Sequence, residues 1–209
     1  MFKKKFFFIV FEGIEGTGKS FQINKLYNSL KKLKLTVQKT REPGGSINSE
    51  KIRKLIFDKG SSKFDKLTDF YLMLASRNEH IKNTIHNARK NKSIIICDRF
   101  TDSTYAYQVI GHNINIKINN LNNNYILGKL KPHLTIILKS NFKSIVNRIK
   151  KRKTHNRLDN LKTNFYKKAQ KAFIHLSKKN KTYYLLDSSI NDNKLEQKIL
   201  NLVLKKIRY

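Results

Sequence analysis

Eight consecutive residues, Gly13-Ile14-Glu15-Gly16-Thr17-Gly18-Lys19-Ser20, have the spacing G-x-x-x-x-G-K-[ST]. Glycines at these intervals let a loop curl until its backbone N–H groups point inward at phosphate oxygens. A helix that begins at Lys19 adds the positive end of its dipole to the same place. Lys19 then reaches the β- and γ-phosphates of a nucleoside triphosphate, and the Ser20 hydroxyl is suited to ligate Mg²⁺. The competing reading is a tight glycine turn followed by a solvated lysine. A second chemical position closes the run Ile94-Ile95-Ile96-Cys97-Asp98. A carboxylate at the carboxyl end of a buried strand faces the crevice in which parallel sheets bind ligands, where it helps to hold the Mg²⁺ water shell. Asp98 read as an ordinary cap for the next helix is the alternative.

Those residues need a strand before the loop, a helix after it and a sheet that carries Asp98 alongside. Lys5 to Phe11 is a continuous apolar run, as expected of a strand buried on both faces. Lys19 to Leu33 then places Phe21, Ile23, Leu26, Leu30 and Leu33 at mostly helical spacing. Leu35 to Thr40 reads as a short second strand, closed by Arg41-Glu42-Pro43-Gly44-Gly45, in which Pro and two Gly enforce a turn. Helical pattern over Ser49–Phe57 and Leu67–Arg89 precedes a third strand at Ser93–Cys97. Leu134–Leu138 and Thr182–Leu186 supply two more apolar runs. Five strands alternating with helices predict an α/β fold, a five-stranded parallel sheet sandwiched by helices. The Asn-rich stretch His112–Asn124 reads as a mobile connection.

Composition narrows the classes further. A chain of 209 residues fits one domain and buries enough surface to need no disulfide or structural metal. A single cysteine, Cys97, permits no internal disulfide and reads as a small core residue. The apolar run Phe6–Phe11 meets Glu12 after six residues, too short for a signal peptide or a membrane span, so a soluble cytoplasmic protein is expected. The histidines show no metal-ligand spacing. A net charge of +31 raises the possibility of a nucleic-acid partner. Yet 36 of the 45 basic residues are Lys, spread along the chain with abundant Asn and Ile, which favours a basic coat over a dedicated polyanion groove. Nucleic acid is therefore a disfavoured partner.

Against that lysine background, the surroundings of the nine arginines resemble the thymidylate kinases. Four blocks match in order: Phe11-Glu12-Gly13-Ile14-Glu15-Gly16-Thr17-Gly18-Lys19-Ser20; Thr40-Arg41-Glu42-Pro43-Gly44-Gly45; Asp98-Arg99-Phe100-Thr101-Asp102-Ser103-Thr104-Tyr105-Ala106-Tyr107-Gln108; and Arg157-Leu158-Asp159 with Phe165 downstream. The first is common to P-loop enzymes, whereas the second and third are specific to the family. The resemblance runs from Phe8 to about Asp187 and implies a single kinase domain over residues 1–209, with a mobile lid at about 149–161. It also implies ATP and dTMP as substrates, Mg²⁺ as cofactor and a homodimer.

Position by position, the resemblance puts Arg53, Arg77 and Arg99 where the family grips the dTMP phosphate and orients the base. Phosphate favours a planar, always charged, bidentate donor, which Arg is and Lys is not. Thr104 and Gln108 match positions that hydrogen-bond thymine, with Ser103 beside them. Tyr107 matches a residue near the sugar, where bulk excludes a 2′-hydroxyl, and Glu15 and Glu42 match acidic positions near sugar and metal. Met73 stands where the family usually stacks a Phe on thymine, and His112 follows Gln108 near a position the family often gives to Arg. The lid would deliver a catalytic arginine to the migrating phosphoryl group, with Arg157 the first choice and Arg148 the second. Two other functions stand beside this one: a kinase for a different nucleoside or nucleotide acceptor, and a nucleic-acid-binding nucleotide switch.

Overall fold

Strand β1 (Phe7–Glu12) is buried at every position. Its odd and even residues nevertheless serve different cores. Phe7, Ile9 and Phe11 pack with Ile23, Leu26 and Leu30 of helix α1 (Lys19–Lys32) and with Leu195, Ile199 and Val203 of helix α9 (Asn193–Ile207). Phe8 and Val10 point the other way, onto Ile81, Ile85, Ala88 and Phe100. A strand clad on both faces has no polar side to show, which is why its sequence lacks alternation. The computed structural model describes residues 5–58, 64–151, 163–190 and 192–207.

The other strands are β2 (Val37–Arg41), β3 (Ile94–Asp98), β4 (Leu134–Lys139) and β5 (Tyr183–Asp187). They form one all-parallel sheet in the order β2-β3-β1-β4-β5. The register sets Phe11 beside Asp98, and Arg41 beside Asp98 on the other flank. The carboxyl ends of β1, β2 and β3 therefore open at one edge, where the loop after β1 meets the turn after β2. This is the five-stranded α/β sheet expected from the sequence.

Helix α2 (Ile47–Phe57) begins at Ser46, whose side chain accepts from the Ser49 N–H. Helix α3 (Lys66–His80) runs through a π turn at Ile81–Ile85 into α4 (His86–Lys90). The short α5 (Thr101–Thr104) passes likewise into a π-helical segment, Tyr105–Gly111. Helix α7 (Phe142–Lys150) and helix α8 (Thr163–Lys179) follow β4 and cover Ile14 and Ile137 with Ile145, Tyr166 and Phe173. One expectation fails here. The Asn-rich stretch is no mobile connection, because Ile116–Leu127 forms helix α6 with Asn119 and Asn123 on its buried side. The physical reason lies in those two amides, which hydrogen-bond each other and so become tolerable inside the protein. Among the described residues no helix is long and apolar enough to cross a membrane.

Candidate active site

The loop between β1 and α1 holds its shape through left-handed glycines. Gly13 has φ 135°, and a Cβ there would lie 2.3 Å from the Leu138 carbonyl oxygen. Gly18 has φ 84° and precedes α1 without offering a side-chain cap, so no side chain of its own occupies the first N–H groups of the helix. Thr17 closes the loop internally by donating to the Ile14 carbonyl. Lys19 folds back over it, its Nζ donating to the carbonyls of Gly13 and Ile14 at 2.8 and 2.9 Å. Burial, reinforced by the Arg99 guanidinium, lowers the Lys19 ammonium to about 8, against the pull of Asp98, Glu15 and Glu12. Its loop carbonyls are weak partners for a buried cation, and phosphate oxygens would replace them with full charges.

Beside this loop lies a cavity lined by Glu15, Lys19, Ser20, Glu42, Arg53, Met73, Arg77, Asp98, Arg99, Ser103, Thr104, Tyr107, Gln108 and His112, together with Pro43, Phe57 and Phe100. The structure thus brings the acceptor-site residues expected from the sequence to one wall or another of a single cavity. Arg99 has φ 71°, and its guanidinium donates to Glu15 at 2.7 Å, to the Gly13 carbonyl and to Ser103. Tyr107 donates its hydroxyl to the other Glu15 oxygen. Burial by itself would raise the Glu15 carboxyl, but Arg99, then Lys19 and the Tyr107 hydroxyl, hold it below the usual carboxylate range. Glu15 is therefore an ionised acceptor between the phosphate loop and Tyr107. Arg53 donates to the Pro43 carbonyl and lies over the Phe57 ring.

Arg77 is held far more tightly. Its Nε donates to Glu42 at 2.8 Å, one Nη to Asn123 at 2.9 Å, and the other Nη to Thr104 and the Phe100 carbonyl. Guanidinium carries five N–H bonds. Four are used, which leaves one N–H on the Asn123 side without a partner among the described residues. Glu42 also receives His80, whose second ring nitrogen meets Thr40. Burial would raise Glu42, and Arg77 with His80 outweighs it, so the carboxyl stays below its ordinary range. Glu42 is thus no solvated loop carboxylate: it and Arg77 form a pair with 5% and 3% of their side chains exposed. Met73, one helical turn before Arg77, lines the same cavity.

At the mouth between loop and β3, Ser20 donates to one oxygen of Asp98 at 3.0 Å. The other Asp98 oxygen is buried without a hydrogen-bond partner among the described residues. A hydroxyl and a carboxylate oxygen lacking a donor are hard ligands of the kind Mg²⁺ takes. These residues fit the ion.

Arg148 takes a different position from the cavity residues. It donates to the carbonyls of Gly16, Ser188 and Ser189, tying α7 to the phosphate loop and to the segment after β5. Arg157 and most of the lid stretch lie outside the described residues. Sequence reasoning missed three contributors. Glu12, fully buried, accepts from the N–H groups of Phe100 and Ser103 and from the Ser103 hydroxyl, fixing the turn that carries Arg99. Its signal was a lone carboxylate ending an apolar strand. His80 and Asn123 gave none, because only the fold brings them to Glu42 and Arg77.

The family model for thymidylate kinase matches residues 11–199 of the chain. A thymidylate kinase of Mycoplasma capricolum subsp. capricolum is 33% identical over 204 residues, covering 96% of both chains. One from Acholeplasma laidlawii is 36% identical over 204 residues, covering 96% of this chain and 100% of the relative. The crystal structure of thymidylate kinase from Ehrlichia chaffeensis superposes with a TM-score of 0.75 at 27% identity, covering 95% of this chain and 99% of the other.

Proposed function

The chain belongs to the thymidylate kinase family, and on that premise we propose that it transfers the γ-phosphoryl group of ATP to dTMP, giving dTDP and ADP. The observation that carries this reading is the single cavity in which Lys19 and the phosphate loop face Arg53, Arg77 and Arg99. One cavity lined both by residues of the triphosphate loop and by three arginines suits two phosphate-bearing substrates meeting in it. The domain works as one kinase unit over residues 1–209, with the lid at about 149–161, and is cytoplasmic.

The acceptor phosphate oxygen attacks the γ-phosphorus in line. The bond from that phosphorus to the β–γ bridging oxygen breaks, and ADP leaves with the electron pair. No covalent enzyme intermediate forms, so the side chains act by position and charge. The backbone of Gly13, Ile14, Gly16, Thr17 and Gly18 holds the donor phosphates, and Lys19 follows the charge that develops on them. Arg53 and Arg99 take the acceptor phosphate. Glu15, ionised and oriented by Arg99 and Tyr107, accepts from the sugar hydroxyl. The uncommitted N–H of Arg77 reads the base carbonyl, with Gln108 and Thr104 along the same edge and Met73 covering the ring. Mg²⁺, held by Ser20 and Asp98, would neutralise charge on the β- and γ-oxygens. Arg157 completes the site from the lid, and Arg148, which donates from α7 to the Gly16 carbonyl, stands in second place.

A homodimer is part of this proposal. Helix α6 exposes Ile118, Leu121 and Tyr125 along one stripe, and the neighbouring α3 exposes Leu67 and Tyr71. Such apolar surface suits a second copy of the chain. The test of the activity is acceptor-dependent ADP release with Mg²⁺ATP and dTMP, dUMP, dCMP or AMP in turn. dTMP is expected to be preferred and Lys19→Ala to be inactive; equal rates with all four acceptors would refute the assignment.

A further inference from the structure

Asn123 does not line the cavity, yet it touches the group that does. Its side-chain carbonyl receives Arg77 Nη1 at 2.9 Å, while its amide N–H groups go to the backbone carbonyl and side-chain oxygen of Asn119 at 3.0 and 2.9 Å. With both donors committed to Asn119, the carbonyl oxygen is fixed toward Arg77. Asn119 and Asn123 are buried, at 5% and 7% exposed. The nitrogen bound by Asn123 is the same one that carries Arg77's remaining N–H. In a planar guanidinium, fixing one hydrogen of that nitrogen fixes the direction of the other.

We infer that Asn123 is a specificity-positioning residue, which aims the free N–H of Arg77 at the carbonyl carried by thymine and uracil at the position where cytosine carries an amino group. The inference rests on the base-reading role of Arg77 proposed above. Glu42, Thr104 and the Phe100 carbonyl hold the other three N–H bonds, so they set the plane of the guanidinium. Those three bonds lie on Nε and Nη2, so Asn123 is the contact that anchors the Nη1 corner and keeps the rigid group from tilting its free N–H away from the base. Discrimination against cytosine follows from an unpaired donor facing a donor, an arrangement that a buried site penalises. Discrimination between thymine and uracil, which differ by a methyl group, does not pass through Asn123.

The experiment compares kcat/KM for dTMP, dUMP and dCMP in Asn123→Leu, Asn123→Ala, Asn123→Asp and Arg77→Met. Leu and Ala remove the acceptor, whereas Asp keeps an oxygen toward Arg77; all three disturb Asn119. The expected result is a fall of roughly tenfold in the dTMP-to-dCMP ratio for Leu and Ala, the scale of one hydrogen bond to a charged group. The rise in KM for dTMP exceeds any fall in kcat, KM for ATP stays within about twofold, and the dTMP-to-dUMP ratio is retained. Asn123→Asp keeps the dTMP-to-dCMP ratio even where its melting temperature drops, which a merely structural role would not allow. The alanine variant carries the comparison if the leucine variant does not fold. An unchanged dTMP-to-dCMP ratio in both acceptor-less variants, with loss in Arg77→Met, overturns the inference alone. No loss in Arg77→Met overturns the base-reading role and the inference with it.

Discussion

Arg77 and Glu42 are the residues at which charge, burial and specificity meet. Removing a buried partner leaves the other charge uncompensated, which costs about 3–5 kcal/mol. Glu42→Ala is accordingly expected to lose about that much stability in urea unfolding, and a loss below about 1 kcal/mol would show that the pair is not desolvated. The proposed chemistry is concentrated elsewhere, at Lys19 and Arg99. Lys19→Ala and Arg99→Ala are each expected to abolish turnover with the fold intact by circular dichroism. Near-normal turnover in either would remove that residue from the site. The phosphate loop and Asp98 were legible in residue type and spacing, and the Arg99-to-Gln108 block in its resemblance to the family. The neighbours that orient them were not: Glu12, His80 and Asn123 lie 91, 38 and 46 residues from the groups they hold.

At the level of elements, the strands were readable because burial on both faces leaves an uninterrupted apolar run, as in Ile94–Cys97. Helix α6 was not. Asparagine is a poor helix former, and a stretch with Asn at 119, 120, 122, 123 and 124 looks like a loop until its inward amides find each other. The junctions between elements make two predictions. Gly13→Ala forces a Cβ against the Leu138 carbonyl at a φ that alanine resists, and about 1–3 kcal/mol of stability is expected to go, with ATP binding. A stable variant that still binds ATP would mean the loop can shift. At the start of β4, His133 accepts the Phe8 N–H through Nδ1 while its own N–H goes to the Phe8 carbonyl. Burial, with Lys5 and Arg89 nearby, lowers the His133 pKa. A lowered folded pKa means that the unfolded chain binds the proton more readily, so this contribution is full above about pH 6.5 and is lost as pH falls through the folded value. His133→Leu is expected to lower the melting temperature at neutral pH by the loss of one hydrogen bond, about 1 kcal/mol. It should also make the fall in melting temperature between pH 7 and 5 shallower; an unchanged slope would exclude His133 as its source.

For the molecule as a whole, the sheet order β2-β3-β1-β4-β5 brings the carboxyl ends of the three strands that carry chemistry to one edge. The exposed stripe on α6 lies on the side of that helix away from Asn119 and Asn123, so a second copy can dock there without entering the cavity. Leu121→Glu with Tyr125→Glu is expected to convert the proposed dimer to a monomer in sedimentation velocity, and an unchanged dimer would put the interface elsewhere. Of the 45 basic residues, Lys19, Arg53, Arg77 and Arg99 line the cavity, where Arg77 and Arg99 meet Glu42 and Glu15. The proposed activity joins a triphosphate to a thymine nucleotide in this cavity. It is tested most directly by ADP release from the purified protein with Mg²⁺ATP and each nucleoside monophosphate, beside Lys19→Ala. Release is expected to depend on dTMP, to be weaker with dUMP and weakest with dCMP and AMP, and to vanish in the variant. Folded protein that releases no ADP in response to any acceptor would contradict it.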